Sequence, residues 1–440
     1  MIQLNDGQQE AVEKMVDFLL GKTDLPFFTL SGAGGTGKTV SIKYAIEQAN
    51  LAHIFTSGAT IAHAAKNVLS ASLPKSIHCY TVAQWLGLRM QYADNGDILF
   101  KPDLRTQKAL SLYKYAILDE ASMINDGLYD DIMMLVKQHN IKLIVVGDVY
   151  QLPPVGQEHD SKFFNNINAM LTESMRFKGH ISTLSNVYRD AIKALNDGYV
   201  INKNILSEKT GREDRWDNVF DTGYKFKNNI YEVLDQAAEE IKQNPNDINH
   251  SRILAFKNHS VNLINTNIRD RIYGKNRKQF EHNEILISNG GFAYKNNPII
   301  YNGRLFNVED TKEIIGPYDI PCLSMKFKDF IPHNNVIIPV VDENRGIEKW
   351  IELRDKLLNN AKRDPRQWGF YYKFMDSFAY FDYAYAVNLY KSQGQTLRNV
   401  YVLEGEVMDV RPLNLKQKFQ ALYVAMTRAT DAVYIYNKNY

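Results

Sequence analysis

Residues 31–39 read Ser-Gly-Ala-Gly-Gly-Thr-Gly-Lys-Thr, a run that satisfies Gly-x4-Gly-Lys-Thr. That spacing suits a phosphate. Gly32, Gly34, Gly35 and Gly37, with Thr36 among them, allow a tight loop whose backbone N–H groups converge on an anion. A helix that starts at once behind the loop adds its positive end. Lys38 is then expected to reach the β- and γ-phosphates of a nucleotide, and the Thr39 hydroxyl to ligate Mg2+. A merely flexible glycine loop is the plainer reading. An apolar run before the motif and a helical pattern after it favour the phosphate site.

Two carboxylates close a second apolar run, Tyr115-Ala116-Ile117-Leu118-Asp119-Glu120. Asp119 would hold Mg2+, directly or through water, and Glu120 would polarise an attacking water. Acidic strand ends are common, so the pair gains its meaning from following a good phosphate loop. A third run ends in Gly147-Asp148-Val149-Tyr150-Gln151-Leu152-Pro153-Pro154-Val155. Gln151 is the candidate sensor of the γ-phosphate, and the proline pair stiffens the connection to a neighbouring surface. These features describe a hydrolase of an Mg-nucleotide, without saying what the hydrolysis drives.

The elements that must hold these residues alternate. Strand-like runs at Phe27–Ser31, Ala52–Ser57, Tyr115–Asp119 and Leu143–Gly147 are separated by helical patterns such as Gln8–Leu20 and Thr39–Gln48. That order predicts a parallel sheet with helices on both faces. Met90–Phe100 interrupts it with alternation around Asp94-Asn95-Gly96-Asp97, a strong hairpin signal. A second α/β stretch follows Arg176, with strands at Ile253–Phe256, Asn399–Leu403 and Ala432–Tyr436 and a helix at Val261–Ile272. Within it, short β-like runs (Pro298–Val308, Cys322–Phe327, Val336–Val341) and an amphipathic helix after Ile347 predict a β-rich insertion. Ten aromatics between Trp368 and Tyr385 read as the core of its seam more readily than as a stacking platform.

Composition sets the bounds. The 440 residues are 45% hydrophobic, 12% aromatic and 23% charged, which is a folded protein with ample core. Fifty-two Lys and Arg against 50 Asp and Glu leave a formal charge of +2, so any nucleic-acid site must be a local groove. Cys79 and Cys322 are far apart, which argues against a disulfide framework or a cysteine zinc site and fits a reducing compartment. No run approaches the roughly 18 apolar residues of a membrane span, and Met1–Glu10 lacks the layout of a secretion signal. A cytoplasmic protein without a membrane partner is expected.

In their order and wording the three motifs resemble superfamily 1 DNA helicases, and the Gly-Asp-x-x-Gln-Leu-Pro-Pro-Val string resembles their RecD-like branch. The likeness continues through Leu171–Arg176 (motif IV), Ala386–Thr396 (motif V) and Leu422–Ala429 (motif VI), so it spans nearly the whole chain. The compact length and strings such as His63-Ala64-Ala65-Lys66 bring it nearest the Dda-like members of T-even bacteriophages. The resemblance implies an α/β fold with two RecA-like domains, 1–88 with 111–178 and 179–285 with 381–440. It also implies a pin hairpin at 89–110 and an SH3-like insertion at 286–380, whose tower braces the pin. ATP with Mg2+ between the domains, single-stranded and forked duplex DNA as partners, and 5′→3′ movement come with it. So do a role beside replication or recombination proteins, a monomeric state and, for a phage protein, the bacterial cytoplasm.

The resemblance also assigns residues. Gln8, in Leu4-Asn5-Asp6-Gly7-Gln8, would read adenine, and Gly394 would join the nucleotide contacts. Arg176 and Arg428 would reach across the cleft as arginine fingers, where a surface salt bridge is the bland alternative. Thr60, His63 and His78 in the first domain, and Asn258, Asn388, Tyr390, Lys391 and Ser392 in the second, would touch the DNA backbone or stack on bases. A lone histidine is more often structural. Asn388-Leu389-Tyr390-Lys391 departs from the family's usual Thr-x-His-Lys. Phe100, then Tyr92, are the candidate wedges of the pin; Phe100 equally suits an anchor of the hairpin to its own domain. The reading is a helicase that ratchets along one strand, against a DNA-stimulated ATPase switch that does not unwind and a small-molecule kinase.

Overall fold

Consecutive apolar residues such as Leu143-Ile144-Val145-Val146 suit a strand buried on both faces, as parallel sheets require. The protein, seen here as a computed structural model, is described over residues 3–51, 55–61, 63–93, 97–102, 112–173, 179–295, 297–332 and 336–438. Its first sheet contains β1 (Phe28–Gly32), β2 (Thr56–Thr60), β3 (His78–Thr81), β6 (Tyr115–Asp119), β7 (Lys142–Gly147) and β8 (Ala169–Leu171). They lie in the order β3-β2-β6-β7-β1-β8, and every neighbouring pair is parallel. β1, β6 and β7 therefore deliver the glycine loop, Asp119 and Asp148 to one carboxyl edge, where ligands of open α/β sheets bind.

β2 falls later than the expected Ala52–Ser57. Its residues, Thr-Ser-Gly-Ala-Thr, are all buried, and smallness rather than hydrophobicity selects them. A Cβ on Gly58 would meet the Cys79 sulfur at 2.8 Å and Leu69 at 3.1 Å. Between β3 and β6 the antiparallel hairpin of β4 (Leu88–Tyr92) and β5 (Ile98–Pro102) forms, two residues wider on each side than expected.

The second sheet joins β9 (Arg215–Asp217), β10 (Thr222–Lys227), β11 (Ser251–Ala255), β19 (Ala386–Asn388), β20 (Leu397–Leu403) and β21 (Ala429–Tyr436). Their order is β19-β11-β20-β21-β10-β9, parallel except for β9. Between its halves lies an antiparallel sheet of β12 (Ile285–Ser288), β15 (Leu305–Ile315), β16 (Pro321–Phe327), β17 (Pro339–Val341) and β18 (Phe381–Tyr383), with a ribbon of β13 (Phe292–Tyr294) and β14 (Asn297–Ile300). β18 pairs with β12, so the residues just past 381 hydrogen-bond into the inserted sheet rather than the second parallel one. The aromatic stretch is mostly core: Phe374, Phe378 and Tyr385 are fully buried and Trp368 nearly so, while Phe370 is exposed. Burial pushes the phenol of Tyr372, on the helix Trp368–Met375, up in pKa, with smaller contributions from Tyr371 and from Asp97 at the hairpin's turn.

Candidate nucleotide site and nucleic-acid face

The glycine loop takes its shape from two left-handed residues, Gly35 and Gly37. At Gly37, φ is +84° and a Cβ would collide with the Gln8 amide, so any other residue strains the backbone there and displaces Gln8. Lys38 opens the helix Lys38–Gln48, and its ammonium donates to the carbonyls of Gly32 at 2.6 Å and Ala33 at 3.0 Å. Thr39, half-buried, follows it on the first turn. Gln8 is nearly fully buried, and both ends of its amide are engaged: Oε1 accepts from Asn5 N–H at 3.1 Å, and Nε2 donates to the Thr36 carbonyl at 2.9 Å. The expected adenine reader is here a brace beneath the loop, because the capping box of the first helix fixes its direction.

Across the loop, Glu120 adopts φ +54°, a left-handed conformation that a non-glycine residue enters at a cost of about 1–3 kcal/mol. Its N–H donates to Asp119 Oδ1 at 2.9 Å. Burial and the adjacent Glu120 charge push the Asp119 carboxyl up to about 6, while Lys38 and that N–H hold it back. A carboxylate so destabilised suits a cation. Among the described residues no group of three or more His, Cys, Asp or Glu is placed to hold a metal unaided. A hard cation at Thr39 and Asp119 would take its other ligands from phosphates and water, as Mg2+ does.

The sign of the Asp119 effect is testable. Its folded pKa lies above the ordinary 3.8, so the fold gains stability as pH falls through about 6 and carries the full penalty above it. Without nucleotide or Mg2+, Asp119→Asn is expected to melt higher than wild type at pH 7.5, with the gap shrinking by pH 5. Thermal melts at both values check this; an equal or lower melt at pH 7.5 refutes it.

The second domain meets this edge through the helix Leu415–Met426. Tyr423, buried, donates its hydroxyl to Asp148 Oδ2 at 2.9 Å, and its ring lies edge-on to Tyr150 at 6.3 Å. Further along the helix, Lys416 and Gln420 reach Asp160 at 2.7 and 3.0 Å. Burial pushes the Asp148 carboxyl up, against the pull of Lys38, the Tyr150 N–H and the Tyr423 hydroxyl. Val149 N–H donates to Ser31 Oγ at 3.2 Å, which ties this connection to the glycine loop. Gln151 is buried, and its Oε1 has no hydrogen-bond partner, an acceptor that a water at the γ-phosphate would satisfy. Asp148 and Tyr423 stood inside the motifs without being singled out; only their meeting across 275 positions gives them a role.

Arg428 follows the same helix, 3% exposed. Its guanidinium donates to the carbonyls of Val424 (3.1 Å) and Gln395 (3.3 Å) and to Thr427 Oγ1 (3.2 Å). Its charge acts on Tyr423, which bonds Asp148, which in turn feels Lys38. A left-handed turn at Gly394 (φ +77°) precedes the Gln395 carbonyl that Arg428 grips. Arg176 lies outside the described residues.

The expected DNA residues divide. Thr60 ends β2 at the carboxyl edge, but its hydroxyl is buried. His78 is exposed and pairs with Ser57 at the amino end of β3, roughly 10 Å of strand from that edge; Thr81 is the residue that reaches it. The helix His63–Ser72 follows β2 directly, and its Lys66 lies over the Tyr301 ring of the insertion at 5.6 Å. The side chains of His63, Tyr92 and Phe100 lie outside what the structure describes.

In the second domain, the Asn388 amide is engaged by the fold. It donates to the Phe256 carbonyl and to Asn258 Oδ1 and accepts from Tyr390 N–H. Ser392 is fully buried and donates to the Leu389 carbonyl at 2.7 Å. Tyr390 packs edge-on to Phe256 at 6.0 Å. Asn388 and Ser392 are held by one need: the tight turn Leu389–Ser392 and its neighbours must satisfy their own backbone groups. Lys391 alone of the four is exposed. With Asn258 and Asn388 it lines a cavity of about 290 Å³, completed on the polar side by Asn262, Asn289 and Asp382.

A family model described as an AAA domain matches residues 3–212, and one described as a UvrD-like helicase C-terminal domain matches residues 383–436. An uncharacterized protein of Acanthamoeba polyphaga mimivirus is 24% identical over 97% of this chain and 98% of its own length. The ATP-dependent DNA helicase dda of Enterobacteria phage T4 is 27% identical over 64% of this chain, a match spanning 60% of that protein. The crystal structure of Bacteroides Pif1 bound to ssDNA superposes with a TM-score of 0.52 at 14% identity, covering 99% of this chain and 92% of that one. That likeness is one of fold, and it includes both parallel-sheet domains.

Proposed function

We propose that this chain is a superfamily 1, Dda-like ATP-dependent DNA helicase moving 5′→3′ on single-stranded DNA, a reading supported by its two domain matches and its likeness to the dda helicase. The observation that carries the reading is the buried hydrogen bond of Tyr423 to Asp148. It couples the helix that leads into Arg428 to the strand end beside Lys38. A nucleotide held at that edge is felt by both domains, which a small-molecule kinase does not need.

Mg2+, held by Thr39 and Asp119, would neutralise charge on the β- and γ-phosphates. Lys38 would exchange its two loop carbonyls for phosphate oxygens. Glu120 would take a proton from the attacking water, and Gln151 would orient that water through its unpartnered acceptor. Arg428 would leave carbonyl contacts within its own domain for the charge that develops as the γ-phosphate departs. Arg176 is proposed as the second finger. Single-stranded DNA would cross both carboxyl edges, with the hairpin β4–β5 as the pin. The approach of Asp97 to the Trp368–Met375 helix supports the insertion as the pin's brace. Parting a base pair costs on the order of 1–2 kcal/mol of stacking, and an aromatic wedge offsets part of it. Among the described residues no helix is long and apolar enough to cross a membrane.

Strand displacement on matched duplexes tests the proposal. A duplex with a 5′ single-stranded tail is expected to be unwound with ATP, and one with a 3′ tail left intact. Unwinding from the 3′ tail rejects the direction. ATP turnover stimulated by DNA with no strand displaced on either substrate makes the protein an ATPase switch. An RNA tail in a third arm separates the two kinds of track, since only 2′-hydroxyl contacts distinguish them.

A further inference from the structure

Asp382 was in no motif, yet it faces the one exposed lysine of the Leu389–Ser392 turn. Its carboxylate lies 3.2 Å from the Lys391 ammonium, and both side chains are a little under half exposed. The two belong to different bodies: Asp382 is the middle residue of β18, at the edge of the inserted sheet, and Lys391 follows β19 of the second parallel sheet. Asp382 is also approached by the Asn289 amide at 3.3 Å. We propose that Asp382 is a built-in substitute for a DNA phosphate at Lys391, which single-stranded DNA must displace before the second domain can grip it. This rests on the reading of this face as the DNA track.

The surroundings suit an exchange of anions. The cavity shared by Asp382 and Lys391 borders the first turn of the helix Asn258–Tyr273, whose N-terminal end favours negative charge. Asparagine amides on its wall supply neutral donors that follow a backbone without reading sequence. The ion pair itself is weak: a half-exposed pair changes an equilibrium by about five-fold at most. It is therefore strong enough to lower resting affinity and weak enough to yield to a phosphate. A carboxylate that returns to Lys391 when the domain relaxes would also speed release of the strand, and a motor that alternates its grip needs release as much as capture.

The test is binding of a fluorescent oligo-dT to the whole protein without nucleotide, read by anisotropy at about 50 and 300 mM salt. Asp382→Asn keeps the acceptor for Asn289 and removes the charge. It is expected to bind roughly two- to five-fold tighter at low salt, with the gap narrowing at high salt as screening grows. Lys391→Ala alone is expected to weaken binding, and Asp382→Asn in that background to change it less than about two-fold. Equal or weaker binding by Asp382→Asn overturns the proposal and makes the pair a staple between the two sheets. A gain that persists without Lys391 also overturns it, as a general charge effect. Unchanged binding by Lys391→Ala overturns the DNA reading of this face itself.

Discussion

Lys38→Ala is expected to lower DNA-stimulated ATP hydrolysis by about three orders of magnitude or more, the scale on which phosphate-charge stabilisers act. Two losses combine. The ammonium that now rests on the Gly32 and Ala33 carbonyls is the group expected to meet the β- and γ-phosphates. The same charge holds down the pKa of Asp119 and of Asp148. Without it, a carboxyl already raised to about 6 rises further and is more often protonated, and therefore useless to a cation, at neutral pH. Phosphate release at saturating single-stranded DNA measures the effect. Turnover within ten-fold of wild type would reject the phosphate assignment.

Arg428→Lys is the second large effect, expected at about 10³-fold in kcat with the KM for ATP changed only a few-fold. Lysine preserves the charge but loses the planar fork that bonds the Val424 and Gln395 carbonyls and the Thr427 hydroxyl together. Alanine is the poorer probe, because it leaves those buried acceptors unpaired and destabilises the helix end. A lysine variant that melts like wild type and hydrolyses ATP at the wild-type rate would make Arg428 a structural residue only. One that melts like wild type and turns over slowly leaves the transition state as the site of its action.

The glycine loop was legible because its constraints are local: Gly35, Gly37 and Lys38 must stand at those positions whatever the rest of the chain does. The strand ends at Asp119 and Gly147 were legible for the same reason. Polar residues beside them were not. Thr60, Asn388 and Ser392 look alike in sequence whether they face a groove or their own backbone, and the fold buries or engages all three. Gln8 was expected to read adenine; its amide instead engages Asn5 and Thr36, a direction that depends on the Asn5 cap. The Asp148–Tyr423 contact joins residues 275 apart, and the Asp382–Lys391 pair joins two sheets. Neither leaves a trace in local spacing. β2 was misjudged at its ends because a crowded sheet centre selects small residues, which hydrophobic patterning passes over.

The helix Leu415–Met426 rests on the first domain through Lys416, Gln420 and Tyr423, three side chains spaced along one of its faces. A rod held along a line can roll about its own axis far more easily than it can slide. Two sheets so joined would swing like a door on that rod, and a small turn beside Lys38 would grow with distance from it. In the proposed motor, travel per turnover would then follow lever length, from the rod to the Lys391 rim, more than the chemistry that drives it.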